Sequence, residues 1–485
     1  MNIRSNRHNG LYGLAVSSLY VLNALIFTLI FEFVWYQLIA VQFDEGGVFF
    51  RRGNLAILVL YLILYVSFAQ TYDVFQVDLS RISELIGSEV LACFMSGFFT
   101  YIVCIFIFRH FPNVLPFLLM LGLDIGFAIL WAVGSHRWYF DHFPPAKSIV
   151  VWDDRQGLDE LISSYGLDIR FEIVKDYSIE DCLKNLQALD QAETAFLLGV
   201  HSHERNIIIK YCVAHGIHVY MLPRIGDLIM SSAKSIHLFH LPFLTLSRYN
   251  PPIYYVVFKR FFDIVLSVIL LVLTSPIFLV TAIRIHAYDG GEVLYRQCRM
   301  TKDGKLFDVL KFRSMREDAE KDGVARLSTG DKDDRITPVG RQIRATRIDE
   351  LPQLLNILKG DMSLVGPRPE RPEIAAEYEE SLPEFALRLQ AKCGLTGYAQ
   401  VYGKYNTTPY DKLQMDLMYL ANPSLAEDAK IIFATVKILF LKESTEGVAE
   451  GQTTASFQKP ERSVKEETDV QTQHIAEEAE QKHNI

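Results

Sequence analysis

A chain of 485 residues is too long for one ordinary domain, and its length points to about three units. Half of its residues are hydrophobic and 12% are aromatic, a high share for a soluble protein. The net charge is −9; residues 443–485 hold ten acidic and four basic side chains, so the remainder is too balanced for a nucleic-acid binder.

The chain begins with four apolar stretches, at 11–41, 55–70, 91–108 and 115–133. Each is near the ~20 residues that a helix needs to cross a bilayer. The first starts too late and runs too long for a plain signal peptide. Arg4, Arg7, Arg81 and Arg137 place both ends of a four-helix transmembrane bundle (1–140) in the cytosol, while Arg51 and Arg52 argue the other way. Asp124 lies inside the fourth stretch and reads as a helix–helix contact rather than part of a transport path. The six cysteines, Cys93, Cys104, Cys182, Cys212, Cys298 and Cys393, form no C-x-x-C pair and read as reduced thiols, so the soluble parts face the cytosol.

From 148 to 248 short β-rich runs ("SIVVW", "IRFEIV", "TAFLLGV", "IHVYMLP") alternate with helical spacing, which predicts a Rossmann-like α/β domain with a parallel sheet. The first strand leads into "DDRQG", not G-x-G-x-x-G, so no dinucleotide fingerprint is present. "HSHER" (201–205) reads as an ordinary strand end rather than a metal site. A regulatory or architectural role follows for this domain.

The fifth apolar run, 256–286, resists reading as a span. Lys259 and Arg260 flank one end and Arg284 the other, and Ser275-Pro276 breaks the middle. A fifth crossing would also put all later residues outside the cell. A re-entrant membrane helix keeps them with a cytosolic substrate.

A basic, glycine- and proline-rich region follows. Arg296, Arg299, Lys311, Arg313, Arg335, Arg341, Arg344, Arg347 and Arg368 surround the adjacent acids Asp349 and Glu350. Arginine binds phosphate oxygens in a bidentate fork, so the pattern suggests phosphate handling rather than a solvated face. Asp349 is a candidate N-cap for "LPQLLNILKG", with Pro352 in the first turn and the helix dipole favouring the ionised acid. Adjacent acids can divide labour, one attacking phosphorus and one holding Mg²⁺.

The motifs "KRFFDIVLSVILLVLTSP", "VLKFRSM", "ITPVGRQIRATRIDELPQLLNILKGDMSLVGPRP" and "CGLTGYAQVYG", in this order, resemble the bacterial sugar transferases, the monotopic phosphoglycosyl transferases. The resemblance covers 258–442, and the whole chain resembles the long polyprenyl-phosphate hexose-1-phosphate transferases of the undecaprenyl-phosphate glucose or galactose type. It implies a mostly α catalytic domain (287–442) behind the re-entrant helix (256–286), anchored on the cytosolic face of the bacterial inner membrane. It also implies that Asp349 is the nucleophile toward a UDP-sugar, that UMP leaves, that Glu350 binds Mg²⁺ and that Arg344 and Arg368 contact phosphate. Pro367 and Pro369 of "GPRP" help to seat the nucleotide, and Lys311 and Arg313 stand at the site. Polyprenyl phosphate is the acceptor, membrane lipid surrounds the anchor, and self-association as a homodimer is left open. Residues 410–442 end in an amphipathic helix that could lie on the membrane or pack in the core, and 443–485 read as a disordered acidic tail. A sugar-nucleotide dehydratase would need the missing glycine fingerprint. A non-enzymatic scaffold for polysaccharide assembly is the alternative, against which the intact acid pair argues.

Overall fold

The computed structural model describes residues 10–43, 51–153, 157–158, 162–163, 165–316, 319, 335–403 and 407–439. The acidic tail, Arg4, Arg7 and residues 159–161 and 164 of the 158–166 helical pattern lie outside the described residues.

Four apolar helices open the chain: α1 (Gly10–Val34), α2 (Arg51–Thr71), α3 (Ile82–Phe108) and α4 (Leu115–His142). They pack on one another around Phe27, Phe31, Trp35, Tyr61, Tyr65 and Met120, with Phe31 and Tyr61 stacked at 4.0 Å. Leucine and phenylalanine elsewhere on these helices, such as Leu29, Phe33, Leu118 and Leu130, face outward. α1 runs on as a π turn over Trp35–Ile39 and a 3-10 turn over Ala40–Phe43. α4 continues nine residues past the expected end at 133, because 134–142 still turns buried Ser135 and Tyr139 inward. Glu89 is buried and bonded by Tyr65 and by Asn23 Nδ2 at 3.0 Å. Asp124 is also fully buried, and neither of its oxygens has a hydrogen bond among the described residues.

Residues Phe143–Leu222 form one compact unit. Its strands are β1 (Ala146–Trp152), β2 (Phe171–Ser178), β3 (Thr194–Leu198) and β4 (His218–Met221), all parallel in the order β2-β1-β3-β4. The expected parallel sheet is present. The largely apolar, buried central strands β1 and β3 suit a sheet covered on both faces, and Ile149, Val151, Leu197, Ile208 and Cys212 fill its core. Helices between the strands include α5 (Ile179–Lys184), capped by Ser178, and α6 (Ser202–His215), ended by Gly216 at φ 69°.

The remaining residues belong with α1–α4 in a second compact unit. They begin with α7 (Ile225–Ser231) and an antiparallel hairpin, β5 (Lys234–Leu238) and β6 (Leu241–Thr245). Next comes α8 (Ile253–Asp289), 37 residues that would extend about 56 Å at the usual rise. The expected break at Ser275-Pro276 is not seen: the helix continues through it. Pro276 cannot donate to the Val272 carbonyl, but the Ser275 hydroxyl does so at 2.7 Å. Among the described residues, five helices, α1–α4 and α8, are long and apolar enough to cross a membrane.

The C-terminal region then folds as short pieces. The hairpin β7 (Leu294–Met300) and β8 (Leu306–Phe312) leads to α9 (Pro338–Ala345) and α10 (Gln353–Lys359). β9 (Ser363–Val365), α11 (Pro372–Ser381), β10 (Gly394–Thr396), α12 (Tyr398–Tyr402), α13 (Pro409–Ala421) and α14 (Leu425–Leu439) complete it. Val309, Leu354, Ile357, Met362, Phe385, Leu413 and Ile431 share its core. All six cysteines are unpaired.

Candidate active site

The acid pair sits in a 3-10 turn, Ile348–Glu350, between α9 and α10. Arg347 before it has φ 57°, a left-handed conformation uncommon outside glycine. This corrects the N-cap expectation. α10 starts only at Gln353, and the first free amides bond backbone: Leu354 N to Leu351 O at 3.1 Å and Leu355 N to Pro352 O at 3.0 Å. Asp349 is therefore left over, 8% exposed, with Oδ1 lacking a hydrogen-bond partner among the described residues.

Three packing contacts hold this turn. Asn356 on α10 donates to Asp308 O at 2.7 Å and accepts from Leu310 N at 3.0 Å, which fixes α10 against β8 and brings Lys311 alongside. Arg260 on α8 donates to Ile357 O at 2.6 Å and Leu358 O at 2.9 Å, at the negative end of α10, where Gly360 turns the chain at φ 96°. Asp263 on α8 accepts from Ser363 Oγ at 2.8 Å and Leu364 N at 3.0 Å, which positions β9.

The "GPRP" and "CGLTG" motifs pack backbone to backbone. Gly366 N donates to Thr396 O and Gly394 N to Pro367 O, each at 2.9 Å. A Cβ on Gly394 would overlap the Gly366 backbone, so no other residue fits. This approach carries Arg368 to Glu350. Glu350 Oε1 is 3.1 Å from Lys311 Nζ and 3.6 Å from the Arg368 guanidinium.

These neighbours push the two acids apart electrostatically. Burial and then the Glu350 charge raise Asp349 above the ordinary carboxylate range, against the pull of Lys311, Arg344 and Arg347. Burial also acts on Glu350, but Lys311, Arg368 and Arg347 outweigh it and hold that carboxyl well below its usual value. Burial lowers Lys311, with Glu350 opposing. Two carboxyls driven in opposite directions can take different roles.

The donors fit one mode of Mg²⁺ binding. Among the described residues no three His, Cys, Asp or Glu side chains converge, so the protein offers no closed cage. Mg²⁺ is commonly held by one or two carboxylates together with substrate phosphate oxygens. Glu350 suits that mode, with Lys311 competing for its Oε1, and Asp349 keeps an unpartnered oxygen beside it.

The other expected site residues divide. Arg344, in the last turn of α9, acts on Asp349 through its charge. Arg313 pairs with Asp289 beside Gly291, where it fastens the end of α8. Pro367 and Pro369 contribute carbonyls that accept from Gly394 N and from Arg299 at 3.2 Å. Arg296 and Arg341 are exposed, and the Arg335 carbonyl accepts from Arg316 N at 2.9 Å.

Sequence reasoning missed a buried pair behind Arg368. Arg388, 3% exposed, reaches Asp416, 1% exposed, at 2.7 Å and donates to the Arg368 carbonyl at 2.9 Å. The available signal was an acid at 416 within the apolar stripe Leu413, Leu417 and Leu420 of α13.

A family model described as bacterial sugar transferase matches residues 254–442. The chain is 36% identical over 231 residues to a UDP-N-acetylgalactosamine-undecaprenyl-phosphate N-acetylgalactosaminephosphotransferase of Aeromonas hydrophila, covering 47% of this chain and 53%, about half, of that relative. It is 41% identical over 191 residues to a UDP-glucose:undecaprenyl-phosphate glucose-1-phosphate transferase of Caulobacter vibrioides, covering 38% of this chain and 71% of the relative. It is 42% identical over 189 residues to the exopolysaccharide production protein PSS of Rhizobium leguminosarum bv. phaseoli, covering 37% of this chain and 94% of the relative.

Proposed function

Since this chain belongs to the bacterial sugar transferase family, we propose that it transfers a hexose-1-phosphate from a UDP-sugar to undecaprenyl phosphate. The observation that carries the reading is Asp349: a buried carboxylate with an unpartnered oxygen, beside an acid that Lys311 and Arg368 hold ionised.

The ionised Asp349 attacks the phosphorus that bears the sugar. The bond from that phosphorus to the bridging oxygen breaks, and UMP leaves with the electron pair. A phosphate oxygen of the lipid then attacks the same phosphorus, the aspartyl bond breaks, and the carboxylate is restored. Both displacements occur at phosphorus, so the anomeric configuration is retained. Arg368 and Arg344 orient phosphate oxygens, because guanidinium groups match them, and Lys311 keeps Glu350 charged. Glu350 would hold Mg²⁺, which supplies charge neutralisation on the diphosphate when bound. The product is the first lipid-linked intermediate of a surface polysaccharide, in keeping with the name of the Rhizobium relative.

In this reading α1–α4 span the cytoplasmic membrane as a four-helix bundle, and α8 enters and leaves on the cytosolic side. Both ends of α8 touch the same C-terminal region: Lys259 binds Asp428 at 2.8 Å near the start, and Arg284 binds Gln342 at 2.7 Å near the end. Contacts from both ends of the helix to one folded region favour keeping that region on one side of the membrane, with α8 itself continuous through Ser275-Pro276. Between them Val272, Leu273, Leu279 and Val280 face outward, as lipid contact requires.

The test is to mix enzyme with UDP-sugar but no lipid acceptor, digest it, and search for phosphosugar on the peptide that holds Asp349. Its absence, in a preparation shown to turn over, would refute the covalent route. A panel of UDP-glucose, UDP-galactose and UDP-N-acetylgalactosamine assigns the sugar.

A further inference from the structure

α14 bridges the N-terminal helices and the site. On one side, Lys437 Nζ donates to the Tyr72 carbonyl at 3.2 Å, just past the end of α2, and to the Ser88 hydroxyl of α3 at 2.9 Å. A lysine at a helix C-terminus is favoured by the dipole. One turn earlier, Phe433 stands edge-on to Phe68 of α2, with ring centres 4.9 Å apart. α14 thus docks on α2 and α3, not along a membrane surface alone.

Toward the site, Thr435 lies between these two anchors. Its hydroxyl meets the Thr396 hydroxyl at 2.7 Å. The Thr396 carbonyl accepts from Gly366 N, and two residues later Arg368 faces Glu350. Tyr72 and Ser88 lie outside the family match at 254–442, so this contact is added to the family region rather than contained in it.

We propose that Lys437 is a positioning residue: by fastening α14 to α2 and α3 it fixes Thr396, and through Gly366 it holds Arg368 against Glu350. The seating of the N-terminal helices thereby sets turnover. This rests on Asp349 and Glu350 being the reacting pair. Small displacements of a charge beside the reacting centre act on the chemical step, so the rate constant changes more than substrate binding.

The test uses the full chain in lipid nanodiscs with Lys437→Met, which keeps the apolar stem, and Lys437→Arg, which keeps the donor. Lys437→Met should lower kcat for UMP release about five-fold with KM within about two-fold, and Lys437→Arg should restore it. Independently of activity, hydrogen exchange at 363–369 and 394–397 should quicken in Lys437→Met and recover in Lys437→Arg. Unchanged exchange in these segments overturns the proposal whatever the rate does, as does an equal loss in the two variants. Wild-type protein that releases no UMP from any UDP-sugar refutes the functional reading instead, while the exchange data still judge Lys437.

Discussion

The parallel-sheet unit and the catalytic region both alternate strands and helices, yet they cohere by different means. In the sheet unit, the central strands β1 and β3 bury apolar side chains on both faces while the outer strands β2 and β4 are largely open, and its His201–Asp153 pair at 2.9 Å remains partly exposed. In the catalytic region, β9 and β10 have three residues each and α10 has seven. Elements so short cannot stand on their own hydrogen bonds. Buried ions and glycine contacts hold them together with the apolar core, so polar side chains share there a task left to apolar ones in the sheet. Polar substitutions should therefore be severe in one region and mild in the other.

The largest expected effect is at Asp349. Asp349→Asn should cut UMP release by at least about a thousandfold, because an amide cannot serve as the nucleophile; a melting curve close to wild type shows that the fold survives. Next is Asp416→Asn, which leaves buried Arg388 with the Glu370 carboxylate at 3.6 Å as its remaining acidic partner. That should cost about 3 kcal/mol of unfolding free energy, at the low end for breaking a buried pair because Glu370 still faces the guanidinium. Gly394→Ala should cost about 1–3 kcal/mol through its clash with Gly366, and activity should fall with it as Arg368 shifts.

The pH dependence gives a subtler test. Asp349 must be ionised to attack, and its carboxyl is held above the ordinary range, so the rate should fall as pH drops through that raised value. Lys311 lowers Asp349, so Lys311→Met should move the acid limb to higher pH; a limb that stays put removes Asp349 as the titrating nucleophile. The smallest effect is expected in the sheet unit. Asp153→Asn should cost at most about 1 kcal/mol and leave UMP release unchanged, as for exposed pairs in general. A large loss there would erase the contrast between the two regions.

Much of the architecture was legible because it rests on long apolar patterns. The four N-terminal helices and the four parallel strands follow from runs of leucine, phenylalanine, valine and isoleucine. Charged residues were harder. Lys259 and Arg260 read as flanking charges of a membrane helix, whereas they bind Asp428 and the carbonyls that end α10. Asp349 read as a helix cap, but the turn that carries it closes on its own backbone. Arg313 pairs with Asp289, a partner that its spacing did not announce. Charge and spacing describe what a side chain can bind, not which partner packing will supply.

The amino-acid order by itself determined that Asp349 and Glu350 are neighbours, that glycines flank the later motifs, and that five helices are apolar enough for a bilayer. Only the tertiary structure decided that Lys311 and Arg368, out of nine candidate cations, meet Glu350, and that Arg388 and Asp416 stand behind them. The physical reason is that cations are alike in sequence and differ in burial. Which one reaches a buried acid depends on where strands distant in the chain are allowed to touch.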